Sequence, residues 1–145
     1  MVDRKPPRLD VDERATLCGL LQYQRESFVR KVDGVSEAAA RQQFVGSGTS
    51  LLWLTKHMAG AELTWVVRRF AGEEVDDVNE AVGPNDTVAA AIDTYRATWS
   101  RIDAIVAAAG LDDLCRATGD DVPTNLRCVL AHLLEETARH AGHAD

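Results

Sequence analysis

The C-terminal end of the sequence carries several side chains that are able to bind a metal ion. His132, Glu136 and His140 follow one another at intervals of four residues, and His143 comes three residues later. Residues four apart lie above one another on a helix. His132 and His140 are separated by roughly 12 Å along the axis at about 1.5 Å per residue, so one ion can use only a neighbouring pair.

The apolar residues around these side chains indicate which pair faces the interior. Leucine, valine and alanine recur at three- and four-residue spacing over residues 126–141, which is typical of an amphipathic helix. At about 100° per residue, His140 lies nearest the centre of the apolar arc and Glu136 comes next. His132 and His143 point further outward. We therefore expect Glu136 and His140 to point toward a bundle interior, where a site needs a third ligand.

The only histidine outside this region, His57, lies in the apolar segment SLLWLTKHMAGAELTWVV. Taken alone, a histidine in such a segment is more often a hydrogen-bonded core or interface side chain than a ligand. The matching pair on the last helix and the resemblance described next favour ligation by His57. Glu62, five residues on, is either an outer partner that holds a ring N–H of His57 or a surface charge.

The order of these residues resembles the DinB-like superfamily of metal-binding four-helix bundles. The usual pattern there is a histidine in the second helix and His-x-x-x-His-x-Gly in the fourth. Glu136, His140 and Gly142 stand where the motif's first histidine, second histidine and glycine would stand. A glutamate at the first position is similar to the actinobacterial branch related to mycothiol-dependent maleylpyruvate isomerase. The resemblance covers most of the chain, from about Asp10 onward.

The resemblance implies a fold, a metal and a chemistry. The implied fold is an all-α four-helix bundle of DinB-like type with one or two short extra helices. The implied ligands of a divalent ion are His57, Glu136 and His140; such a mixed N/O set with an open position suits zinc, with nickel as a substitute. The implied activity is that of a transferase or isomerase that activates a low-molecular-weight thiol such as mycothiol for an electrophilic substrate.

His143 has two interpretations at this stage. It is either a catalytic proton-transfer or outer-shell group near the open position, or an exposed polar residue near the chain end. The function also has alternatives: a non-catalytic helical dimer that binds a small ligand or a metal, or a helical dimer whose histidines are ordinary core and surface groups. Ferritin-like di-iron chemistry is disfavoured, because it needs Glu-x-x-His on two helices.

Length and composition set the class of protein. The 145 residues, 46% of them hydrophobic, suit one domain with its own core, and a net charge of −7 argues against a nucleic-acid partner. The sequence contains no apolar run of about 18 residues and no signal-peptide pattern, so we expect a cytoplasmic protein without a membrane partner. Three cysteines at wide spacing do not form a disulfide framework, and each is expected to behave as a small buried apolar residue.

Start and stop signals divide the chain into a flexible tail, residues 1–9, and a helical domain, residues 10–145. The first long helix is expected to begin after Asp10 or Asp12 and to end at about residue 32, with Arg25 facing either solvent or an anionic ligand in the bundle. A short helix follows at 36–43, and further long helices at about 50–70, 87–109 and 124–143. The second long helix is apolar on nearly every side, which predicts a homodimer. Family members commonly extend the last helix, so we expect its final turn, at the end of this sequence, to fray.

Overall fold

The computed structural model describes residues 4–43, 46, 48–117, 119 and 122–145. The helices are α1 (Glu13–Val32), α2 (Glu37–Arg41), α3 (Leu51–Glu62), α4 (Val88–Ala108) and α5 (Leu126–His143), and α3 continues as a π-helical segment (Leu63–Phe70). Four long helical stretches and one short helix, with no strand in the described ranges, confirm the predicted all-α bundle. None of the described helices combines the length and the apolar character that crossing a membrane requires.

Each α-helix begins after a polar residue that accepts a hydrogen bond from the first turn. The side chains that accept these bonds belong to Asp12, Ser36, Ser50, Thr87 and Asn125. Backbone N–H groups of the first turn have no partner within the helix, so a capping oxygen satisfies one of them. These caps determine where each helix starts, and therefore which residues reach the interior.

The interior consists of two apolar halves separated by a polar layer. One half contains Phe28, Leu52, Met58 and their neighbours, and the other contains residues such as Leu21 and Leu130. In the chain, Arg25 falls between the two sets on α1, and Glu62 falls between them where α3 becomes π-helical. Arg25 donates from Nε and Nη2 to the two oxygens of Glu62, at 2.9 and 2.6 Å, and Tyr95 donates from its hydroxyl to the same carboxylate. The bundle therefore encloses a buried ion pair at mid-height.

This layer corrects two sequence-based predictions. Arg25 does not face solvent, because only 1% of it is exposed, and inside the bundle its guanidinium pairs with Glu62. Glu62 is therefore neither a surface charge nor the outer partner of His57. The long apolar helix also differs from expectation, because its backbone changes to π-helical hydrogen bonding directly after Glu62.

The structure also bears on three other expectations: the homodimer, the buried cysteines and the flexible N-terminal tail. Residues buried on α3 pack within the chain against α4 and α5, so the apolar character of this helix has an explanation in the monomer, and the homodimer stays a prediction. Cys128 is exposed rather than buried, because it lies on an outer face of the first turn of α5. Residues 1–3 of the predicted tail lie outside the described residues, and Tyr23 donates a hydrogen bond to the carbonyl of Arg4.

Candidate metal centre

Three of the predicted site residues meet between α3 and α5. Nε2 of His57 lies 3.1 Å from Oε1 of Glu136, and Nε2 of His140 lies 3.0 Å from the same oxygen. One ligand atom from each of these residues lies within 4.8 Å of the other two. The structure thus brings together an imidazole from one helix and a carboxylate–imidazole pair from another.

Local helix geometry explains this convergence. Glu136 and His140 lie one turn apart on α5, so their side chains point in the same direction. His57 lies on the part of α3 that faces α5, and its ring stacks on Trp53 at a centroid distance of 4.8 Å and an interplanar angle of 8°. This stacking restricts the orientation of the imidazole ring. The packing of α3 against α5 therefore brings one atom from each of the three side chains into a defined arrangement.

The separations of the two imidazole nitrogens from the carboxylate oxygen suit a tetrahedral divalent ion. Zinc binds imidazole nitrogen and carboxylate oxygen at about 2.0–2.1 Å, which places neighbouring ligands in a tetrahedron about 3.3 Å apart. The two nitrogen–oxygen distances, 3.1 and 3.0 Å, are close to that value. Two histidines and one glutamate form a known donor set of catalytic zinc sites, which keep a further position open. The side chains are 22%, 19% and 14% exposed for His57, Glu136 and His140, so solvent reaches one side of the cluster.

Electrostatics favours the ligating protonation states. Burial raises the pKa of Glu136, but the contacts with His57 and His140 outweigh it and hold that pKa below the ordinary value. Burial lowers the pKa of His140, and the opposing attraction of Glu136 does not restore it. At neutral pH the carboxylate is therefore charged and the ring of His140 is neutral, as metal binding requires.

The outer nitrogen of each histidine has a partner as well. Nδ1 of His57 lies 3.1 Å from Oε1 of Glu80, a residue of the segment between the π-helical stretch and α4. Nδ1 of His140 lies 3.3 Å from Nδ1 of His143, which is exposed. His143 thus contacts the outer edge of the His140 ring, and its catalytic role stays a prediction. The sequence did not single out Glu80, because an irregular segment has no periodicity that would assign its side chains to a site.

His132 lies outside the cluster. Its ring packs on Trp65 at a centroid distance of 4.4 Å, and the guanidinium of Arg69 also lies over Trp65, at 4.3 Å from the ring centroid. His132 therefore takes no part in the contacts among His57, Glu136 and His140, and the assignment of a metal site to those residues stays a prediction. His132 provides a natural control for experiments on His140, since both lie on the same helix.

Comparisons with known proteins give the family. The search of curated proteins found no match for this sequence. The family model described as mycothiol-S-transferase matches residues 16–145, which covers nearly the whole helical domain and all residues of the candidate metal centre. The resemblance to the DinB-like superfamily agrees with this match. The chain belongs to the mycothiol S-transferase family.

Proposed function

We propose that this protein is a divalent-metal-dependent transferase that activates a low-molecular-weight thiol of the mycothiol type for attack on an electrophilic substrate. The observation that supports this proposal best is the convergence of two imidazole nitrogens on one oxygen of Glu136. Family membership supports the thiol and the transfer reaction. Zinc is the proposed resident ion, with nickel as a substitute, because nitrogen and oxygen ligands with an open position suit both.

The charge of the ligand set suits a thiol substrate. Two neutral imidazoles and one carboxylate leave a divalent ion with a net charge of about +1, which favours an anionic sulfur at the open position. A divalent ion held there supplies Lewis acidity that lowers the pKa of a thiol toward neutrality. Glu136 keeps its negative charge because the contacts with His57 and His140 hold its pKa down. The ring of Trp53 limits the movement of His57 and covers one face of that ligand.

In the proposed transfer, the S–H bond of the thiol and the bond between the electrophilic carbon and its leaving group break. A sulfur–carbon bond forms. The thiol loses its proton, the sulfur electron pair forms a bond to the electrophilic carbon, and the leaving group departs with its bonding electrons. We propose that His143 passes the thiol proton to solvent, since its ring is exposed and contacts the ligand His140. A cytoplasmic location is proposed because Cys18, Cys115 and Cys128 are free thiols and the co-substrate must stay reduced.

Metal analysis tests the site. We expect protein purified without chelator or nickel resin to contain close to one equivalent of a divalent ion. His57→Ala and His140→Ala should lose the metal while keeping their helical circular dichroism. His132→Ala, on the same helix as His140, should keep it, because that ring packs on Trp65. Folded wild-type protein that contains no metal and takes up none from added zinc would contradict the proposal.

Turnover separates the transferase from a binding protein. With the metal-loaded protein, we expect an alkylating electrophile such as a bimane bromide to be consumed with mycothiol faster than in the uncatalysed reaction. His57→Ala should remove the acceleration, and His132→Ala should not. Binding of the thiol to the metal-loaded protein without any acceleration, across several classes of electrophile, would instead identify a non-catalytic binding module.

A further inference from the structure

Glu80 contacts Nδ1 of His57, the ring nitrogen that does not contact Glu136. We infer that Glu80 is a positioning residue, whose carboxylate holds Nδ1 of His57 so that Nε2 faces Glu136 and His140. Nδ1 lies 3.1 Å from Oε1 of Glu80, while Nε2 lies 3.1 Å from Oε1 of Glu136. The inference rests on the proposed function, because it assumes that His57 binds a metal ion.

The chemistry of imidazole gives this contact a consequence. A neutral imidazole carries its proton on one nitrogen and its lone pair on the other. When Glu80 accepts a hydrogen bond from Nδ1–H, the lone pair is on Nε2 and points toward the ligand cluster. A carboxylate in this position fixes the tautomer and orientation of a ligating histidine and increases its basicity. Glu80 therefore prepares His57 for metal binding without being part of the ligand set.

The segment that carries Glu80 is attached to the same helix as His57. Lys56 donates from Nζ to the carbonyl of Ala81, the residue after Glu80, and also to Oδ2 of Asp86 at 2.7 Å. Lys56 directly precedes His57, so the anchor and the ligand are neighbours on α3. The attachment places the backbone beside Glu80 close to the ring that its carboxylate contacts.

Gly60 allows the segment to approach α3 closely. A Cβ at this position would lie 3.0 Å from Oε1 of Glu80 and 3.3 Å from Cβ of Val78, both closer than side chains ordinarily pack. Gly60 follows His57 by three residues and therefore lies on the same side of the helix. Glycine destabilises a helix interior relative to alanine. The close approach of Glu80 and Val78 provides a reason for a glycine there.

Zinc affinity, measured by competition with a chromophoric chelator, tests the role of Glu80. We expect Glu80→Ala to weaken zinc binding roughly ten- to hundredfold, as other outer partners of metal ligands do. Glu80→Gln should weaken it less, because an amide oxygen still accepts from Nδ1–H. Glu74→Ala is the matched control, since it removes an exposed carboxylate from the same segment, and it should leave the affinity unchanged. Wild-type affinity in Glu80→Ala, with the fold intact, would overturn the inference.

Cobalt substitution distinguishes a positioning residue from a ligand. In the cobalt-loaded protein, Glu80→Gln should keep the visible band positions and intensities of the wild type, since the donor atoms are unchanged. A change as large as that of Glu136→Gln would identify Glu80 as a ligand and overturn the inference. If Glu80→Ala folds poorly, the cobalt spectrum of Glu80→Gln still tests the inference, because glutamine preserves the shape of the side chain.

Gly60→Ala tests whether the close approach matters. It should weaken zinc binding by displacing Glu80, and combining it with Glu80→Ala should weaken binding no further than Glu80→Ala alone. Fully additive effects would overturn the proposed link between Gly60 and Glu80. The experiments separate failure of this inference from failure of the metal site. If only the inference fails, zinc binding still depends on His57 but does not depend on Glu80. Wild-type protein that takes up no zinc overturns both.

Discussion

Replacement of Glu62 with glutamine removes the negative charge that balances Arg25 in the bundle interior. The side chains of this pair are 2% and 0% exposed for Arg25 and Glu62, and the pair has two hydrogen bonds, at 2.9 and 2.6 Å. Tyr95 donates a third bond to the carboxylate at 3.1 Å. The glutamine amide keeps an oxygen for Tyr95, but it leaves the guanidinium without its buried counter-charge.

The expected cost follows from this geometry. Breaking a buried ion pair by removing one partner costs about 3–5 kcal/mol, because an uncompensated charge stays in the interior. Arg25 retains a contact of 2.9 Å with Asp103, which still supplies a negative charge at Nη1 of the guanidinium. We therefore expect the lower end of that range, about 3 kcal/mol. For a chain of this size, that corresponds to a melting temperature roughly 6–12 °C lower.

Removing both charges should cost much less. Burial raises the pKa of Glu62, and neither Arg25 nor Tyr95 fully offsets it, which indicates that the charged carboxylate is costly in this position. In the double variant Arg25→Met/Glu62→Gln neither charge is buried. We expect its free energy of unfolding to lie within about 1 kcal/mol of the wild-type value, since buried ion pairs are often replaceable by neutral groups of similar volume.

Urea unfolding followed by circular dichroism measures all these variants. Glu135→Gln is the matched control, because Glu135 pairs with Arg139 one turn away on α5 and both side chains are more than half exposed, at 65% and 57%. Its effect should stay below about 0.5 kcal/mol. A wild-type free energy of unfolding in Glu62→Gln, or a double variant as unstable as the sum of its single variants, would refute the reasoning.

Three further predictions concern the metal centre and α5. Zinc at about 100 times its dissociation constant should stabilise the wild type by about 2.7 kcal/mol in thermal unfolding, and His57→Ala should show no such gain. Acid should destabilise the metal-free protein, because burial lowers the pKa of His140 below its ordinary 6.5. The stability that is present above pH 6.5 is lost as the pH falls toward the lower pKa of the folded state. His140→Gln should therefore flatten the dependence of the free energy of unfolding on pH, measured by urea titration at several pH values, and an unchanged slope would contradict this. Asn125→Ala, which removes the cap of α5, should cost about 1 kcal/mol in urea unfolding; an unchanged midpoint would contradict the role of that cap.

The helices and the shared face of Glu136 and His140 on α5 were predictable because they depend on local rules. Periodic leucine and valine with polar caps determine where a helix lies, and a four-residue spacing determines that Glu136 and His140 share a face. His57 was assigned from its residue type and from the family pattern, since only one histidine lies outside α5. The all-α fold and the family were both obtained in this way, and the structure and the family match agree with them.

Arg25, Glu62 and Glu80 show what local rules do not determine. On a helix, a charged residue near an apolar stripe looks like a surface group, and only the approach of α1 and α3 in the folded bundle creates a partner that makes its burial tolerable. Glu80 lies in an irregular segment, where no repeat relates a residue's position in the chain to its position in space. The sequence by itself determined the helices, their inward faces and the residue types of the proposed metal ligands. Only the tertiary structure decided which charges pair across the interior and which carboxylate holds His57, because those contacts join residues that are far apart in the chain.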